Sequence, residues 1–167
     1  ETSLGDGTMV SKNSIRIKTV GLLDEVNARV GHAIVKSPNK NISESLKGIQ
    51  NNLFNIGGEL ALGEKAQPVF SDENVKEIEL SIEKLNNQLP PLADFILPGG
   101  DEFNSRLHLA RTATRQTEIS IFSLKENEVV RDSLCVYMNR LSDYFFVLAR
   151  CHSVENKIPE DVWKHKK

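Results

Sequence analysis

Apolar residues recur every three or four positions through five long stretches of this chain, the spacing of one face of an α-helix. Between about 15 and 36, Val20, Leu23, Val26, Val30 and Ile34 form one stripe. From about 43 to 62 the stripe is Leu46, Ile49, Leu53, Ile56 and Leu60, and from about 72 to 89 it is Val75, Ile78, Ile82, Leu85 and Leu89. A fourth stretch, about 101 to 125, repeats Phe103, Leu107, Ala110, Thr114, Thr117, Ile121 and Leu124. A fifth, about 129 to 152, repeats Leu134, Met138, Leu141, Phe145 and Leu148. Proline is excluded from helix interiors, and the six prolines (38, 68, 90, 91, 98 and 159) fall between these stretches or beyond the last. Ser71 is placed to cap the third helix, Pro90-Pro91 stops it, and Gly99-Gly100 breaks the chain before the fourth. Strand patterning is nearly absent. The expected fold is all-α: one domain, a five-helix up-down bundle of four long helices plus one. Its 3-4 ridges predict crossing angles near +20°. Residues 15–152 form the bundle, 1–14 a polar, Gly-rich N-terminal segment, and 153–167 a polar tail.

Composition narrows the function. The 167 residues carry 21 Lys+Arg against 23 Asp+Glu, a net charge of -2, so phosphate neutralisation on a nucleic acid is not expected. No run approaches the ~18 apolar residues of a membrane helix, the longest being 144–149, and no signal peptide is visible. Cys135 and Cys151, on one helix, would point about 160° apart and suit buried free thiols of a reducing compartment. A helical bundle suggests a buried metal pair, but di-iron bundles need Glu-x-x-His on two helices. No Glu here is followed by His at that spacing, and no CxxC or paired His supports zinc.

Four features carry candidate chemistry. The opening run Thr2-Ser3-Leu4-Gly5-Asp6-Gly7-Thr8, followed by Val10-Ser11-Lys12, alternates Gly with hydroxyls ahead of a cation. Such a run can cradle phosphate, although it is no Walker loop and, taken alone, reads more readily as a flexible polar arm. On the fourth helix Arg111, Arg115 and Glu118 lie within roughly 60° of one another. Two guanidiniums at i, i+4 repel unless an anion lies near, and Arg suits phosphate or carboxylate; a solvated charged face fits the same spacing. On the fifth helix Asn139 shares a face with Asp143, and its amide can both donate and accept. The 92–100 connection, Leu-Ala-Asp-Phe-Ile-Leu-Pro-Gly-Gly, is unusually apolar. It either plugs the bundle end or presents hydrophobes to a large ligand.

In this order the pieces resemble one family, the PduO-type ATP:cob(I)alamin adenosyltransferases. The matching segments are Thr-Ser-Leu-Gly-Asp-Gly-Thr-x-Val-Ser-Lys (2–12), Gly-x-x-Asp-Glu-x-Asn (21–27) and Phe-Ile-Leu-Pro-Gly-Gly (95–100). They continue with His-Leu-Ala-Arg-Thr-x-x-Arg-x-x-Glu (108–118) and Tyr-Met-Asn-Arg-Leu-Ser-Asp-x-x-Phe-Val-Leu-Ala-Arg (137–150). Where many members read Arg-Arg-x-Glu-Arg, this chain has Arg115-Gln116-Thr117-Glu118-Ile119, two positive charges fewer.

The resemblance implies a five-helix bundle, ferritin-like in architecture, assembled as a homotrimer with active sites between subunits. It implies transfer of the 5′-deoxyadenosyl group of ATP to Co(I) of cobalamin, with Mg²⁺ accompanying ATP and no metal held by protein side chains alone. Thr2, Ser3 and Lys12 would touch the triphosphate; Arg115, Glu118 and Asn139 would complete the ATP site, and Arg115 would neutralise the leaving group. Arg111 would pair with Asp24 of a neighbouring subunit. Phe95 would press on the lower face of the corrin, with Trp163 a further candidate there. A flavoprotein reductase and an adenosylcobalamin-dependent mutase are the implied partners, and the cytoplasm, or a mitochondrial matrix, the implied location. A cobalamin carrier with little catalysis is the alternative.

Overall fold

The computed structural model describes residues 1–63, 67–92 and 94–164. Five helices dominate: α1 (Ile15–Ile34), α2 (Lys40–Leu62), α3 (Glu73–Asn86), α4 (Glu102–Lys125) and α5 (Asp132–Asn156). Residue pairs across the interfaces give their directions. Thr19 meets Ser120 and Arg106 reaches the His32 carbonyl, so α1 and α4 are antiparallel. Asn139 meets Glu118 and Asn104 meets Ser153, so α4 and α5 are antiparallel. Arg16 reaches Leu60 and Asn27 meets Gln50, which sets α1 against α2. The result is the expected up-down bundle.

The stripes read from sequence are the core. All five named positions of α2, all seven of α4 and all five of α5 are buried. On α1, Leu23, Val26 and Val30 are buried, while Val20 and Ile34 pack at the margin. On α3 only Ile78 is fully buried. This helix has 14 residues against 20 to 25 in the others, and it packs against α5. Thr114 and Thr117 enter the core because each hydroxyl donates to a carbonyl of its own preceding turn, Ala110 and Ala113, at 2.8 and 2.9 Å. A satisfied hydroxyl removes the burial penalty.

The differences from expectation lie at the ends. α2 begins at Lys40, not 43, because Asn39 caps it, its Oδ1 accepting from the Ile42 amide at 3.0 Å. α3 begins at Glu73 with Asp72 at the cap position, and Ser71 Oγ accepts the Glu73 amide from one residue further out. It stops at Asn86, three residues before Leu89, where the hydrogen bonds tighten to i→i+3 ahead of Pro90. α5 begins at Asp132, and it runs to Asn156, four residues past the expected end. There Lys157 turns it in the left-handed conformation (φ 56°), with the Ile158 amide on the Ser153 carbonyl at 2.9 Å. The tail thus starts later; its residues 165–167, His165 among them, lie outside the described residues. The N-terminal segment is a small antiparallel hairpin, β1 (Thr2–Ser3) on β2 (Met9–Val10). Both cysteines are buried free thiols.

Glu59 of α2 holds the hairpin end together. Buried in the core, its carboxylate accepts from the Val69 and Phe70 amides at 2.9 and 2.6 Å and takes Arg131 as a two-pronged pair at 3.0 and 2.8 Å. Arg131 also reaches Asp72 and the Phe70 carbonyl. Removing one member strands the rest. Glu59→Ala is expected to cost about 3 kcal/mol, read as a lower urea midpoint at unchanged slope; an unchanged midpoint would make the network idle.

Candidate active site

Three groups of candidate residues occupy three levels of the bundle. At one end sits the hairpin. Its strands carry Thr2 and Ser3, and its loop closes through Leu4–Thr8 and Gly7–Leu4 backbone bonds of 2.8 and 3.0 Å. Asp6 accepts both the Thr8 amide and hydroxyl at 2.9 Å, and Gly7 supplies the positive φ of 85° the loop requires. Gly5 lies against Leu62, so the hairpin rests on the C-terminal end of α2. Lys12 follows β2 and is exposed.

On the flank, α4 and α5 bring together what the sequence left apart. Asn139 Nδ2 donates to Glu118 Oε1 at 2.9 Å. One turn before Glu118, Arg115 is exposed and makes no hydrogen bond or ion pair among the described residues. Arg111, a turn further, is half-buried. Burial and then the charge of Arg115 hold its guanidinium below the ordinary value. Its Nε lies 3.4 Å from Nδ1 of His108. Asp24 is exposed on α1 and makes no bond to Arg111 within this chain. Asp143, Asn139's neighbour on the same face, is instead engaged by Arg140, which also pairs with Glu79 of α3.

His108 is buried beside Arg111. Desolvation first, and the Arg111 charge second, hold its imidazole down at about 4 from 6.5. The unfolded chain takes up a proton as pH falls through 6.5, and the folded one does so only near 4. Stability is therefore lost on acidification across that window. The urea midpoint should fall between pH 6.5 and 4 less steeply in His108→Leu than in the parent; equal slopes would remove His108 as the cause.

At the opposite end from the hairpin lies the Phe95 loop. Phe95 is 73% exposed, and its amide is held by Asp94 Oδ1 at 2.8 Å. The chain beyond α5 pairs back onto it. Trp163 N donates to Phe95 O at 2.8 Å, Leu97 N donates to Asp161 O at 2.7 Å, and Ile96 bridges Val162. The Phe95 and Trp163 rings meet edge to face, centroids 6.2 Å apart. The loop's root depends on Gly100, at φ 109°, where a Cβ would come within 2.7 Å of Asn104 Nδ2. Asp101 then caps α4, with its Oδ1 on the Asn104 amide at 2.9 Å and its Oδ2 on His152 at 2.7 Å. Sequence reasoning gave no role to His152, nor to Arg150 of the same turn; nothing local marks them, since their partners lie far along the chain.

The expected residues thus gather in pairs but not into one pocket. From His108, beside the Phe95 loop, to Glu118 is ten residues of α4, about 15 Å. The hairpin is further still, over α2 rather than α4.

A family profile described as Cobalamin adenosyltransferase matches residues 1–152. The corrinoid adenosyltransferase of Bacillus subtilis (strain 168) is 36% identical over 149 residues, 86% of this chain and 77% of that protein. The cobalamin adenosyltransferase of Cupriavidus metallidurans is 37% identical over 151 residues, 89% of this chain and 80% of that one. Among solved structures, a phenylalanine-to-alanine variant of the PduO-type ATP:corrinoid adenosyltransferase from Lactobacillus reuteri, complexed with cobalamin and ATP, superposes with a TM-score of 0.93. It is 30% identical, and the match covers 98% of this chain and 94% of that chain. The bundle is that of an all-α class of ATP-dependent transferases. Within that class, the chain belongs to the cobalamin adenosyltransferase family.

Proposed function

We propose that this protein is a corrinoid adenosyltransferase that moves the 5′-deoxyadenosyl group of ATP onto Co(I) of cobalamin. The Co(I) electron pair forms the bond to C5′, the C5′–O bond breaks, and triphosphate departs with the pair from that broken C–O bond. Adenosylcobalamin is the second product. The reaction asks the protein for position and charge rather than for a nucleophile. The observation that carries the reading is the Arg111–Arg115–Glu118–Asn139 flank, on helices that match the family along 1–152.

Arg115 is the group free to meet an anion, and it is the one we assign to the leaving triphosphate. The Asn139–Glu118 pair offers a donor and acceptor beside it for the nucleoside. Thr2, Ser3 and Lys12 would hold the triphosphate, which brings Mg²⁺ with it. Phe95 and Trp163 would form the corrinoid wall. The hairpin and the Phe95 loop occupy opposite ends of a bundle about 30 Å long, so one chain does not close such a site. A second copy that lays its hairpin beside the α4 flank would, which favours sites between subunits of a homotrimer. Asp24 of one copy would then give Arg111 of the next its own anion, relieving the Arg111–Arg115 repulsion. Among the described residues no helix is long and apolar enough to cross a membrane, and a cytoplasmic or matrix location is part of this proposal, as are a flavoprotein reductase and a mutase as partners.

An anaerobic assay with chemically reduced cobalamin, ATP and Mg²⁺ tests it. Loss of Co(I) absorbance and an ATP-dependent, photolabile product are expected. Corrinoid binding without product would instead identify a carrier.

A further inference from the structure

We propose that Arg150 and Glu160 are positioning residues that hold the Phe95–Trp163 pair in place as the corrinoid wall. The proposal rests on the functional reading above. Arg150, near the end of α5, is 5% exposed, and buried guanidinium needs partners. Its Nε donates to both carboxylate oxygens of Glu160, at 3.2 and 3.4 Å. Its Nη2 donates to the Pro90 carbonyl at 3.3 Å. The first partner lies three residues before Trp163, and the second lies five residues before Phe95. Arg150 therefore stands at the fork from which both aromatic segments leave the bundle.

Everything else in the two segments fits this role. The left-handed turn at Lys157 and then Pro159 send the chain back toward the loop. Beyond Glu160 the two segments pair at Ile96–Val162, and the rings then meet. Two backbone hydrogen bonds join the segments, Trp163 N to Phe95 O and Leu97 N to Asp161 O, so where the tail leaves Glu160 sets where Trp163 meets the loop. The Arg150–Glu160 pair, its guanidinium buried and its carboxylate half-buried, is the anchor from which the rest extends, and exposed Phe95 has no other side-chain ring beside it among the described residues.

Trp163 is the only tryptophan in the chain, so its fluorescence reports the tail directly, without corrinoid and without turnover. In Glu160→Ala, emission should shift to the red and acrylamide quenching should rise. The KM for corrinoid should increase roughly tenfold while the KM for ATP and the far-ultraviolet circular dichroism stay unchanged. Glu160→Gln, which keeps an acceptor for the Arg150 Nε, should recover part of the corrinoid KM. Arg150→Ala, with Glu160 intact, should reproduce the fluorescence change. Unaltered fluorescence in Glu160→Ala would overturn the anchor. Altered fluorescence with an unaltered corrinoid KM would overturn its role at the wall. Absence of product from the parent protein would overturn the enzyme reading, and the fluorescence arm would then decide the anchor alone.

Discussion

Replacing Arg115 with alanine is expected to lower turnover roughly 10²–10³-fold. The side chain is exposed on α4 and has no hydrogen-bond or ion-pair partner among the described residues, so its loss removes no packing. Helix content and urea midpoint should stay as in the parent. What it removes, on the reading proposed here, is the cation facing the departing triphosphate. Charge develops there as C5′–O breaks, and losing one preorganised donor at such a point costs roughly 10²–10³-fold in kcat. The turn carries Gln116 and Ile119, so no neighbouring cation on it can substitute. Arg111 cannot replace it, because its guanidinium is half-buried against His108. Normal turnover by Arg115→Ala would end the role assigned to it. Arg115→Lys keeps charge but loses the forked donor geometry, and it should recover only part of the rate.

Phe95→Ala is the second large effect, and it should depend on the oxidation state supplied. Phe95 is 73% exposed, so truncation costs the fold little, and ATP binding should be retained. On the proposed reading its ring presses against the lower corrin face and denies the axial position to a ligand. Without that ligand Co(II) is four-coordinate and easier to reduce, since no donor raises the orbital that accepts the electron. A large, apolar, non-coordinating side chain is suited to that task. Activity starting from Co(II) should therefore fall at least about tenfold, or ~1.4 kcal/mol. Activity from chemically pre-reduced Co(I) should fall much less. Equal loss from both starting states would point to binding rather than reduction, and no loss from either would remove Phe95 from the mechanism.

The two residues were legible to very different degrees. Arg115 stands out by spacing, because two guanidiniums one turn apart on a seam-adjacent face call for an anion. Phe95 stands out only as an apolar residue in a connection that should be polar. For both, the particular role came from resemblance to a family. The structure adds what they are next to. The edge-to-face contact of Phe95 with Trp163 joins residues 68 positions apart, and the Glu118–Asn139 bond joins residues 21 apart. Neither contact has any signature in local spacing.

By itself the sequence determined the five helices and the core stripes of α2, α4 and α5, because a 3.6-residue period and the absence of internal proline are local properties that burial then obeys; buried Phe70 and Tyr137 lay outside those stripes. It also determined family membership, through long motifs. Helix ends were less legible, since caps such as Asn39 and Lys157 depend on single side-chain bonds and backbone angles. Tertiary structure alone decided that α3 packs against α5 with Ile78 as its one fully buried residue. It also decided that the Gly-rich opening folds as a hairpin on α2, and that the hairpin and the Phe95 loop sit at opposite ends. Those outcomes follow from which faces meet across the bundle. Such meetings are set by packing and by long-range pairs such as Glu59–Arg131 and Arg150–Glu160, whose partners no periodicity identifies.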